Sequence, residues 1–117
     1  MGNSSNKNIQ KITYKELKQN YEQYILISIY THIEDVIAGT AFFSEEEHYI
    51  EQAIKNNKKI IFYGINKNDI NYYRYIHEIY GNTLGYENIY FYENGLDEWL
   101  KLRHIYGNDE YPIYRYV

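Results

Sequence analysis

The residues best placed to do chemistry lie between Lys58 and Asp69. Two lysines lead into Ile60, Ile61, Phe62 and Tyr63, and a polar turn follows: Gly64, Ile65, Asn66, Lys67, Asn68 and Asp69. The apolar run reads as a short strand covered on both faces, and Asn68 or Asp69 would cap the helix after it. The carboxyl end of such a strand, facing the free N–H groups of a helix, is where open α/β sheets gather ligands. The turn could hold a small anion, sulfate or phosphate, through backbone N–H groups and Lys67, with Asp69 opposing it. A nucleophile is harder to find. The chain has no cysteine, which excludes a thiol nucleophile, a thiolate metal site and any disulfide. Tyr63 is no substitute, because a phenol ionises near about pH 10 and no basic partner is evident. Gly64 is read as supplying the positive φ of a tight strand-to-helix turn.

No metal or other cofactor is expected. His32, His48, His77 and His104 are scattered without ligand spacing. His32 with Glu34 and Asp35 forms the densest cluster, read as a solvated loop, and His48 with Glu51 reads as a surface pair one helical turn apart.

The 117 residues suffice for one domain and one core. No apolar run of about 18 residues and no charged-then-apolar leader is visible, so the expectation is an intracellular protein. A net charge of −4, with acids and lysines interspersed, offers no basic stripe for nucleic acid. Membrane contact would need myristoylation of Gly2, yet the pattern wants Ser or Thr where this chain has Asn6, and one acyl chain anchors only marginally. The 17 tyrosines, with many Ile, Asn and Lys, can be written in A/T-rich codons and are read mainly as genome composition. Tyrosine also suits half-buried and interface positions.

The elements that must position the turn alternate. Residues 1–10 read as a flexible tail. Thr13 to Glu16 matches a capping box and opens a helix to about Asn20. Tyr24 to Ile29 is a β-branched strand, Thr40 to Phe43 a brief one, and Ser44 to Glu47 a second capping box starting a helix to about Asn56. A helix from about Asp69 to Tyr80 or a little beyond carries Ile70, Tyr73, Ile76, His77 and Tyr80 on one stripe, with Gly81 and Gly85 as stop signals. Ile89 to Tyr92 is a strand, and a helix bearing Leu96, Trp99 and Leu100 follows, with Trp99 in the core. The domain proper is 11–106, and 107–117 is an aromatic tail, irregular or extended, packed on the domain or on a partner. Strands alternating with helices imply a mainly parallel sheet covered on both faces.

Four segments give the chain a family likeness. Ile12-Thr-Tyr-Lys-Glu-Leu17 resembles an opening "is-x-x-el". Ile25 to Tyr30 lies where an apolar strand ending in Asp-Val-Arg would be, and Val36-Ile-Ala-Gly-Thr40 where His-Ile-Pro-Gly-Ala would be. Leu84 to Trp99 resembles "lGy-x-nVy-x-leGG-x-x-x-W" and fits without a gap. Together they resemble a rhodanese-like domain from Ile12 to about Tyr106. The resemblance implies an α/β, three-layer domain with a mainly parallel central sheet of about five strands and helices on both faces. It also implies where the chemistry would be. In rhodaneses and related phosphatases a cysteine directly follows the central strand, and here that position is Gly64. The arginine near the end of the loop is missing, with Lys67, Asn68 and Asp69 nearby. Ser28 and Tyr30 replace the Asp and Arg that support the site, and Val36 replaces the His.

The expectation is therefore a catalytically degenerate member, with no catalytic residues, that serves as a protein-binding or structural module, with another protein chain or itself as partner and a larger assembly as one setting. Tyr72 and Tyr75 on the long helix and Tyr111, Tyr114 and Tyr116 in the tail are the candidate partner-binding residues. The competing expectations are an enzyme of the sulfurtransferase or phosphatase type that works without its own cysteine, and a small-anion sensor built on residues 64–69.

Overall fold

In a computed structural model the described residues are 8–30, 34–41 and 46–115. The capping box at Thr13 forms as expected: Thr13 Oγ1 accepts from Glu16 N at 3.3 Å, and Glu16 Oε1 accepts from Thr13 N at 3.4 Å. This starts α1 (Tyr14–Gln19). There follow β1 (Tyr24–Ser28), β2 (Asp35–Ile37), α2 (Glu46–Asn56), β3 (Lys59–Tyr63), α3 (Ile70–Leu84), β4 (Ile89–Tyr92), α4 (Gly95–Tyr106) and β5 (Ile113–Arg115). The Ser44 capping box and Phe42 and Phe43 lie outside the described residues, as do Gly2, His32 and Tyr116.

The fold is α/β, as the sequence implies. Three strands form a parallel sheet in the order β1, β3, β4, with Leu26 opposite Ile61 and Ile61 opposite Tyr90. Single parallel bridges, Leu26 to Thr40 and Lys11 to Phe91, add a fourth and a fifth row at the two edges. The remaining strands, β2 and β5, pair antiparallel as a separate ribbon.

Side chains of β3 alternate across the sheet, as the pleat requires. Ile60 and Phe62 face a cluster with Ala53 of α2 and Tyr73 of α3, whereas Ile61 and Tyr63 face Leu17 of α1 and Leu96 and Trp99 of α4. These four of the five β3 residues are at most 1% exposed. Burying an aliphatic side chain to this extent stabilises by roughly 1.5–3 kcal/mol, so this strand anchors both layers. No helix among the described residues is long and apolar enough to cross a membrane.

Of the two stop signals after α3, the second is the one used. Gly81 does not stop α3, which continues to Leu84. The glycine is there for room: a Cβ on it would lie 2.0 Å from the Tyr86 ring, which packs against His77 at 4.9 Å between centroids. The stop is Gly85, at φ 91°, whose N–H donates to Gly81 O. After α4 the chain turns at Gly107 and folds back. Tyr111 packs edge-on to Trp99 at 5.1 Å, the Trp99 indole N–H donates to Pro112 O at 3.0 Å, and Arg115 pairs with Asp35 at 2.7 Å.

Gly81→Ala tests this packing against intrinsic propensity. Helix propensity alone favours alanine by about 1 kcal/mol, while the clash with Tyr86 opposes it. The expected outcome in urea unfolding is a net loss of about 1–3 kcal/mol, and a gain in stability would refute the assignment.

Candidate functional site

Strand β3 delivers the chain to Gly64, which is buried at the carboxyl end of the parallel sheet. Gly64 is not in the left-handed region, although Gly85 and Gly95 are; the expectation of a positive φ at Gly64 is thus corrected. Glycine stands there because the three atoms nearest a Cβ at this position all belong to Asp69, with Oδ2 at 2.6 Å.

Asp69 takes the place expected of an external anion. Its Oδ2 accepts from Ile65 N at 2.7 Å and from Asn66 N at 3.0 Å, and its Oδ1 accepts from the Tyr30 hydroxyl. Asn66, rather than Asn68 or Asp69, caps the turn, its Oδ1 accepting from Asn68 N at 2.9 Å. The Asn66-x-x-Asp69 pair makes a reciprocal capping box, and Asp69 gives no side-chain cap to α3. The carbonyls of the turn are engaged too. Leu96 N donates to Gly64 O at 3.0 Å and Asp97 N to Ile65 O at 2.9 Å. The approach is so close that a Cβ on Gly95, itself at φ 63°, would lie 2.5 Å from Gly64 O.

Tyr30, two residues beyond β1, reaches the turn from the neighbouring strand. Ser28 Oγ accepts from Tyr30 N at 3.2 Å and donates to Tyr30 O at 2.9 Å, while the Tyr30 ring stacks on Tyr72 at 5.5 Å. Burial pushes the Asp69 carboxyl upward, but the hydrogen bonds from Tyr30, Asn66 and Ile65 together outweigh it and hold the group below its ordinary value. Donating to that carboxylate, with burial second, pushes the Tyr30 phenol up to about 12.

Of the anticipated anion-holding residues, Gly64 to Asp69 do form one turn. Lys67 is exposed and borders an open cavity of about 310 Å³ with Lys101, Asp97 and Glu98, so the charges there are mixed. Tyr63 is a brace: its hydroxyl accepts from Ile37 N at 3.1 Å and is hydrogen-bonded to Thr40 Oγ1 at 2.6 Å. Val36 is buried in β2. The candidate partner-binding tyrosines separate. Tyr72 and Tyr75 are exposed on α3, with Ile79 one turn further on, and Tyr114 is exposed on β5. Tyr111, grouped with them from the sequence, is instead buried against Trp99, because the tail folds back onto the domain. His48 meets Gln52 at 3.2 Å rather than Glu51. His77 is buried, its Nε2 lacks a partner among the described residues, and burial lowers its pKa. No metal-holding group of three His, Cys, Asp or Glu side chains occurs among the described residues.

A family profile described as the rhodanese-like domain matches residues 4–102. The chain belongs to the rhodanese-like domain family. A rhodanese-related protein from Thermoplasma volcanium, known from a crystal structure, superposes on it with a TM-score of 0.54 at 18% identity, over 90% of this chain and 97% of that one. No curated protein matches it. This rhodanese-like domain has no cysteine, and its central turn holds a carboxylate of its own.

Asp69→Asn removes the charge that two amides and a phenol hold, and a loss of about 1–2 kcal/mol is expected for this half-buried group. The pH dependence has a definite sign. A carboxyl depressed in the fold adds stability above its ordinary value of about 3.9 and loses it as pH falls through the folded value. The difference between wild type and Asp69→Asn should therefore be flat above about pH 5 and close below about pH 4. Tyr30, raised to about 12, adds stability that is complete below about pH 10 and disappears between 10 and 12, a step that Tyr30→Phe should abolish. Urea midpoints across pH that show neither trend would refute the Tyr30–Asp69 pairing.

Proposed function

We propose that this rhodanese-like domain is a non-catalytic module that binds a protein partner, either a different chain or a second copy of itself. The observation that carries the reading is the turn after β3. Gly64 stands where the family resemblance puts the cysteine, and the N–H groups of Ile65 and Asn66 are occupied by Asp69. Persulfide chemistry needs a sulfur nucleophile, and a transition-state charge needs donors that are still open. The same occupancy weighs against a small-anion sensor.

The binding half of the proposal is supported by the outer face of α3. Tyr72, Tyr75 and Ile79 are 46%, 67% and 47% exposed and fall at a spacing that sets them along one helix face. Aromatic residues are enriched in the cores of protein interfaces. The Tyr30–Tyr72 stack joins this face to the closed turn. In this reading the module works inside the cell, and the tyrosines of α3 are its docking residues.

The purified domain should transfer no sulfur from thiosulfate to cyanide above the buffer rate. Turnover that disappears in Lys67→Ala or Asp69→Asn would establish an enzyme instead. Cross-linking mass spectrometry on the protein recovered natively should join Lys67 reproducibly to one other chain, and Tyr75→Ser with Ile79→Ser should remove that link without lowering the melting temperature. A monomer that yields only internal links would count against partner binding.

A further inference from the structure

We propose that Asp69 is the group that shuts this site: its carboxylate occupies both the space a side chain at residue 64 would need and the backbone donors a charged group there would use. This rests on the reading of the turn as a degenerate rhodanese-like loop and goes beyond it, because the site is then shut by a residue that is present as well as by one that is missing.

The steric half follows from Gly64. Its backbone is not in the left-handed region that favours glycine, so φ gives no reason for a glycine there. A Cβ would nevertheless lie 2.6 Å from Asp69 Oδ2, 3.0 Å from its Cγ and 3.1 Å from its Cβ. This is not the loose end of a flexible side chain. Asp69 is short, and its carboxylate is held by Ile65 N, Asn66 N and the Tyr30 hydroxyl, so making way would break hydrogen bonds to a charged group. The electrostatic half follows from the same contacts. An anion beside residue 64 would find the nearest N–H groups already engaged and a negative charge in its path. Gly64 and Asp69 are therefore a matched pair, and the glycine is required only while the aspartate is there.

The test is a double-mutant cycle. Gly64→Ala should lower the thermal midpoint of the wild-type chain. In an Asp69→Gly background the same change should be neutral or raise it, because alanine restricts the unfolded chain and nothing then obstructs it. Asp69→Ala, which removes the carboxyl and leaves only a Cβ at 3.1 Å, carries the same comparison if Asp69→Gly does not fold, with the loss on Gly64→Ala smaller than in the wild-type chain. An equal loss in both backgrounds would overturn the steric half.

A second readout follows charge. With Gly64→Cys alone the new thiol should react with iodoacetamide at pH 7 no faster than a free thiol. With Gly64→Cys and Asp69→Ser together, the freed N–H groups of Ile65 and Asn66 should lower its pKa and speed alkylation by about tenfold. Equal rates would overturn the electrostatic half. Neither result depends on a partner, so failure here leaves the docking proposal standing, and sulfur transfer by the wild-type chain would defeat that proposal without affecting the cycle.

Discussion

The N–H groups of Ile65 and Asn66 and the carbonyls of Gly64 and Ile65 are all met by the chain itself, and the architecture around the turn follows from that condition. Two N–H groups of the turn go to the Asp69 carboxylate, and two carbonyls go to the first N–H groups of α4. A buried strand end cannot leave such groups unpaired without a cost of about 1–3 kcal/mol each. Meeting the condition fixes several residues at once. Gly95 must be glycine so that α4 can begin 2.5 Å, Cβ position to oxygen, from Gly64 O. Tyr30 must arrive from β1 to hold the other carboxylate oxygen. Asp97 and Glu98 then stand in the first turn of α4, where the helix dipole favours negative charge.

Much of the scaffold was legible because its signals are local. The Thr13–Glu16 capping box, the β-branched run of β1 and the unbroken apolar run of β3 each specify an element within a few residues. The segment from Leu84 to Trp99 marked β4 and α4 in the same way. What was not legible depends on residues far apart in the chain. The three-residue strands β2 and β5 are too short to show a period, and they exist because Val36 lies opposite Tyr114 across the ribbon. Gly81 carries a stop signal by type, yet its reason for being glycine is Tyr86, which its own helix brings back against it.

The site was half legible. Sequence located the turn and noted that Asp69 would oppose an anion, but not that Asp69 would itself be the anion. The cue was present in the spacing of Asn66 and Asp69, which is that of a capping box with an aspartate in the glutamate position. Tyr30 was noticed only as a departure from the family pattern, since nothing local says that a residue after β1 reaches a turn after β3. That contact is set by the parallel register, which pairs Ser28 with Tyr63. The tyrosines show the same limit. Composition cannot separate Tyr63, Tyr73 and Tyr92, which are fully buried, from Tyr72 and Tyr75, which face outward.

A loop built to receive an anion has a stability problem when none is bound, because its donors point at an empty place. A catalytic domain tolerates this, since open donors are what the reaction uses, and strain at functional sites is offset elsewhere in the fold. Where no cysteine uses the donors, as here, they are better filled by the chain itself. A carboxylate a few residues along the same turn is a short route to filling them: it closes a small ring, orders few bonds and brings the charge the donors favour. Tyr30 completes the arrangement by shielding and hydrogen-bonding the second oxygen. Asp69 is therefore the physical counterpart of the missing cysteine. The scaffold stands without a cysteine because the fold requires the donors to be met, and does not require that a substrate meet them.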